Sequence, residues 1–269
     1  MLEYDFMRTA FAAGAVVAVV AAATGFFLVL RNLTFAGHAL SHVGFAGATG
    51  AVLIGIAPLW GLLGFTLAAA VAIGLLGERL RNRDVAVGVV LSLSLGFGVL
   101  FLHFYTTHAT QATAVLFGNL LGVGADTLME LAVLGLVSLI ALGLIGRPLL
   151  FATLAPELAA AKGVSLKAVS VAFLAIVAIA VAEAAQVVGV LLVFALLVGP
   201  AAAALRLTTR VASGIALSVV LALAETWLGI ALAYATDWPT TFWIVLLSSA
   251  MYVASVAYAA RRRQPARAA

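Results

Sequence analysis

Residues 32–77, NLTFAGHALSHVGFAGATGAVLIGIAPLWGLLGFTLAAAVAIGLLG, contain no Asp, Glu, Lys or Arg. As one straight helix this stretch would be about 69 Å long, more than twice the roughly 30 Å hydrocarbon core of a bilayer. It therefore has to cross twice. Pro58 lacks an amide donor and disrupts a helix interior, so it marks the turn between the two crossings.

The whole chain has the same character. Of its 269 residues, 65% belong to the apolar set, against roughly 45–50% in soluble domains, and 9% are charged, against roughly 25%. Mean hydropathy is +1.25. No water-soluble sphere has an interior large enough to hide that much apolar surface, so a soluble globular protein is excluded. The absence of cysteine excludes a disulfide framework, a thiolate metal site and a cysteine nucleophile. The net charge of +4 comes from short basic clusters between apolar runs, without interleaved stacking residues. It reads as a membrane orientation signal and not as nucleic-acid binding.

Charge-free runs and their breaks predict nine spans, at about 9–30, 35–56, 58–77, 85–104, 127–146, 166–183, 187–205, 211–234 and 239–260. The fold class is an all-α polytopic transmembrane bundle of about eight to nine spanning helices, one domain over residues 1–269. The run from Ala168 to Leu205 is too long for one crossing, and Glu183-Ala184-Ala185-Gln186 is its polar break. Ala112 to Val123 is apolar but only about 12 residues long, which suits a re-entrant or interfacial helix.

Alternating nine spans leaves Arg8 alone on one side and the other 13 basic residues opposite. The basic side is cytoplasmic by the positive-inside rule, with the N-terminus outside and the C-terminus inside. The first apolar stretch is too long for a signal-peptide core and follows acidic Glu3 and Asp5, so it is expected to stay as an uncleaved helix.

The long cytoplasmic connection between Arg147 and Lys167 carries Pro156 and Glu157 at a helix start and Gly163 at its stop. One short helix, about Leu154 to Gly163, is expected at the membrane surface; the plainer reading is an ordinary linker. No phosphate-binding G-x-x-x-x-G-K-[ST] motif occurs, so the chain cannot energise transport with ATP by itself.

Five segments now stand in order: Leu33 to Gly50 (LTFAGHALSHVGFAGATG), Leu116 to Val123 (LFGNLLGV), Ala155 to Val164 (APELAAAKGV), Gln186 to Ala203 (QVVGVLLVFALLVGPAAA) and Asp237-Trp238-Pro239. Together they resemble the membrane permease subunit of ABC importers for zinc, manganese and iron. The resemblance implies a type II importer-like bundle in a bacterial inner membrane, without enzymatic chemistry of its own. It implies a second permease copy or a closely related subunit, a separate cytoplasmic ATP-binding subunit, and an external metal-binding protein. The loop carrying Pro156, Glu157, Ala160 and Gly163 resembles the coupling helix that fits the ATPase.

His38 and His42 stand four apart, which puts both imidazoles on one helix face, about 5–6 Å apart at Cβ. Both can approach one cation, and a twofold axis would bring a second pair opposite the first. The plainer reading is two neutral core histidines with Ser41 supplying a hydrogen bond. In the resembling family this motif reads G-D-A-L-S-H, and His42 matches its histidine while His38 replaces its acidic residue. Losing that carboxylate disfavours Mn²⁺ and favours the metals that imidazole suits, so Zn²⁺ is the expected transported ion, with manganese and iron as alternatives.

His103 and His108 at the outer end of the fourth span are candidates for receiving an ion, as is Glu183 at the expected mouth; polar residues also collect at any membrane interface. Glu225 lies mid-span, where a carboxylate costs about 2.5–3.5 kcal/mol, so it should face the interior, a partner or water. Asp237 fits an outer turn ahead of Pro239. Gly118-x-x-x-Gly122, Ala46-x-x-x-Gly50 and Gly47-x-x-x-Ala51 are small-residue pairs that let helices approach closely. Gly199-Pro200 predicts a kink suited to gating. A cation-coupled secondary transporter working alone is the rival from another class, and an intramembrane enzyme is disfavoured by the lack of a nucleophile–base motif.

Overall fold

A computed structural model of the chain describes residues 3–76, 83–104, 116, 118, 120–190 and 193–263. Among the described residues every regular element is helical. The elements are α1 (Asp5–Leu30), α2 (Thr34–Leu53), α3 (Pro58–Leu76), α4 (Arg83–His103), a 3₁₀ turn at Leu120–Gly122, α5 (Ala125–Leu154), α6 (Pro156–Ala161), α7 (Leu166–Val188), α8 (Val193–Leu207), α9 (Val211–Thr236) and α10 (Thr240–Arg263).

Seven of these, α1, α3, α4, α5, α7, α9 and α10, are long and apolar enough to cross a membrane. The other two expected spans are present as helices but fall short of that standard. In α2 two imidazoles and four glycines dilute the apolar character, and α8 has only 15 residues.

The helix ends follow local chemistry. Pro58 opens α3 as expected, after Gly55 has taken a positive φ of 78° at the turn. Ser165 caps α7 by accepting a hydrogen bond from the Ala168 amide. Asp237, at φ 58°, closes α9 in the left-handed conformation before Pro239.

Three boundaries differ from the sequence expectation. Helix α5 does not stop at Arg147 but continues through Pro148 to Leu154, so its 30 residues reach about 45 Å and project beyond a bilayer core. Helix α7 continues through Glu183 and ends at Gly189, φ 84°, so the break falls after the polar segment and not within it. Gly118 and Gly122 do not form a helical pair. Gly118 has φ 73° and lies against the backbone of Val187 to Gly189, which only a residue without Cβ permits. Of the expected re-entrant helix at 112–123, residues 116, 118 and 120–123 are described, with a 3₁₀ turn at Leu120–Gly122; residues 112–115, 117 and 119 lie outside the described residues.

Helices α1 and α7 form the interior, with α3, α5, α8 and α9 packed around them and α4 and α10 at the periphery. Lipid offers no hydrophobic drive between helices, so close approach at small residues holds such a bundle together. Gly25 of α1 sits against the Leu197 carbonyl of α8, and Gly47 of α2 against Gly61 of α3, with Ala51 on the same face. The small pair Gly47 and Ala51 is therefore a contact with α3, while Ala46 and Gly50 face Gly98 and Phe101 of α4. Arg31, at the end of α1, donates to Thr153 Oγ1 at 2.9 Å and lies 5.7 Å from the Phe173 ring centre, placing the ends of α1 and α5 at one face with the start of α7.

Gly25→Val should therefore destabilise the bundle by about 1–3 kcal/mol, because its side chain displaces the α8 backbone. Gly88→Ala in α4, where a Cβ meets nothing within 4 Å, should leave thermal unfolding of the purified protein unchanged or raise it slightly.

Candidate functional site

The i, i+4 spacing on α2 brings the rings of His38 and His42 together as expected, with centroids 4.7 Å apart and planes at 82°. Both residues are half-buried, so their lone pairs are not sealed in the core. The His38 ring also meets Phe194 of α8 edge-on at 5.4 Å. Ser41 does not support either imidazole. Its hydroxyl donates to the His38 backbone carbonyl at 2.7 Å, the usual local bond of a serine inside a helix.

His38 lines an open groove of about 580 Å³ between α8 and α10, walled by Phe194, Val198, Gly199, Ser248 and Tyr252 among others. A second opening of about 340 Å³, between Thr34, Phe35 and Phe194, reaches the same imidazole. At Gly199 a Cβ would overlap the Ser248 hydroxyl, and that hydroxyl donates to the Ala195 carbonyl at 3.0 Å. Gly199 is therefore a point of close contact between α8 and α10, and Pro200 follows it inside α8. At the other end of the groove Arg206 donates to the Tyr252 hydroxyl at 3.0 Å and lies over its ring.

Two imidazoles make half of a tetrahedral site. Among the described residues no three His, Cys, Asp or Glu side chains converge, so further ligands have to come from water or a second chain.

The remaining candidates are dispersed. His103 ends α4, exposed, beside Phe104, whereas His108 lies outside the described residues. Glu183 is inside α7 at 0% exposure, packed near Gly135 of α5, and is not at a mouth. Glu225 is also 0% exposed, in α9, with Ser248 beside its carboxyl. Both carboxylates face the protein interior, as an intramembrane acid must.

The expected surface helix is present as α6. Pro156, Glu157, Ala160 and Gly163 are exposed along it, Ala159 is buried as its anchor, and Gly163 turns the chain at φ 81°. Leu154 and Leu158 stand 69% and 53% exposed there.

The sequence reading missed the α10 wall. Ser248 and Ser249 were its available signal, two hydroxyls in the middle of an apolar span.

The family model described as ABC 3 transport family matches residues 3–259. A Haemophilus influenzae membrane protein named for iron transport is 30% identical over 96% of this chain and 95% of its own length. The manganese transport system membrane protein MntC of Listeria monocytogenes is 25% identical over 97% and 94%. Among solved structures, PsaBC from Streptococcus pneumoniae in complex with Fab superposes with a TM-score of 0.84 at 26% identity, covering 94% of this chain and 92% of that one.

Because the protein has no native cysteine, single cysteines can map the groove. Ala202→Cys, on its wall, should react with a hydrophilic maleimide in membranes, and Ala182→Cys, buried in α7, should not.

Proposed function

Because the chain belongs to the ABC 3 transport family and is the permease of an ABC metal importer, we propose that His38 and His42 form its ion-binding point on the translocation path. The observation that carries this reading is the 4.7 Å imidazole pair at the head of the α8–α10 groove. A second permease copy related by a twofold axis completes the ligand set with its own pair, since one chain supplies too few donors.

The cargo is a divalent transition-metal ion. Imidazole donors without a carboxylate favour Zn²⁺, while the names of the relatives support manganese or iron as the second reading. Binding has to stay weak enough to release, so water shares the coordination during passage.

Energy comes from a cytoplasmic ATP-binding subunit docked on α6. The exposed Leu154 at the end of α5 and Leu158 of α6 offer an apolar contact, and Ala159 ties the short helix to the bundle. Helices α5 and α7 flank α6 and pack on each other. A push on α6 thus reaches the interior through α7. Opening of the path occurs where α8 meets α10 at Gly199 and Pro200. The N-terminus lies outside, where a metal-binding protein delivers the ion, and the basic end lies in the cytoplasm.

Uptake of labelled zinc and manganese into proteoliposomes holding the permease and its ATPase tests the site. His42→Ala should lower uptake of the native ion by at least about tenfold. His38→Asp should shift the preference towards manganese. Unchanged uptake in His42→Ala would remove the assignment. Leu158→Asp should weaken ATPase association by about 2 kcal/mol in a pull-down titration while leaving metal binding intact.

A further inference from the structure

Two carboxylates sit fully buried in membrane helices without a part in the transport reading above, Glu183 and Glu225. Glu183 points among α1 and α5 near Val16, Val20 and Gly135, away from the groove-lining residues. Glu225 is placed differently. Its carboxyl faces Ser248, which itself lines the groove headed by His38. Among the described residues neither Glu225 oxygen has a hydrogen-bond partner.

Ser248 is therefore a thin partition with the groove on one side and a carboxyl on the other. A hydroxyl has one proton to donate, and here it is committed to the Ala195 carbonyl of α8. The same hydroxyl fills the space in front of Gly199. Movement of α8 away from α10 breaks the Ser248–Ala195 bond and frees the Ser248 hydroxyl to turn aside from the carboxyl behind it.

The level of Glu225 along the path follows from helix geometry. Phe194, the ring partner of His38, precedes Gly199 by five residues, about 7.5 Å along α8 towards Arg206. Arg206 on Tyr252 then sets a positive charge ahead of a cation travelling that way. A cation leaving the imidazoles thus needs a compensating negative group before it meets that charge.

We infer that Glu225 is a second cation-binding point on the path, screened by Ser248 in this conformation and uncovered when α8 and α10 separate. This inference rests on the groove at His38 being the route of the ion. The ligands there are the Glu225 carboxylate and water, with the hydroxyl of Ser249, which lines the groove at that level. Hard oxygen donors of this number hold a divalent ion more loosely than a closed imidazole site, as an inner transit point requires.

The test uses the permease reconstituted with its ATPase, with Glu225→Gln, Ser248→Ala, their double variant and His38→Ala/His42→Ala. Equilibrium binding of zinc and manganese without ATP is measured beside ATP-driven uptake. Glu225→Gln should bind metal as the native protein does and lose uptake by at least about tenfold. Ser248→Ala, with its partition removed, should bind one additional metal ion per chain without ATP, and the double variant should not. Should Glu225→Gln fail to assemble, the stoichiometry of Ser248→Ala still decides. Native uptake by Glu225→Gln, or no extra ion in Ser248→Ala, overturns the inference. Native binding and uptake by the His38→Ala/His42→Ala variant would instead overturn the imidazole site alone, since the extra ion in Ser248→Ala does not depend on those rings.

Discussion

Helix α8 is held by backbone contact on two sides, and the rest of the site depends on that. On one side the Leu197 carbonyl occupies the space that a side chain at Gly25 would need; on the other, the Ser248 hydroxyl occupies the space in front of Gly199. In lipid, apolar side chains gain little by leaving the bilayer for one another, so such close approaches decide where helices sit. With only 15 residues, α8 has little other surface to fix its position. The groove beside it, and the distance of Phe194 from His38, follow from these two contacts.

That placement leaves an open, mostly apolar groove with His38 at its head. The imidazoles are half-buried, so they are available to an ion without being dissolved in hydrocarbon. Below them the wall is mostly apolar, interrupted by the hydroxyls of Ser248, Ser249 and Tyr252, with the buried carboxyl of Glu225 beside Ser248. A tight four-ligand cage within one chain would trap a metal ion. In the proposed site two imidazoles are shared with water or a partner, an arrangement that permits capture followed by release.

In the proposed function power enters from outside the bilayer and is received at α6. It is six residues long, anchored by Ala159 and followed by Gly163, with Leu158 exposed on it and Leu154 exposed at the adjoining end of α5. The unexpected length of α5 matters here. By running through Pro148 to Leu154 it carries α6 beyond the hydrocarbon, while Arg31 on Thr153 ties its end back to α1.

Much of this architecture was legible from residue order. Charge-free runs and Pro58 located the helices in sequence, and the Pro156 to Gly163 segment announced α6, because hydropathy and helix punctuation are local properties. The facing of His38 and His42 was equally local, a matter of four residues on one helix. The break after Glu183 was misplaced because polarity suggested a loop, whereas a buried carboxylate can remain helical if other helices enclose it, and Gly189 offered the backbone freedom instead. Only the tertiary structure decided that Phe194, Ser248 and Tyr252 share a groove with His38, and that Glu225 lies behind Ser248. Those neighbours come from helices far apart in the chain, and what unites them is the close approach of backbones at glycines, which no local pattern encodes.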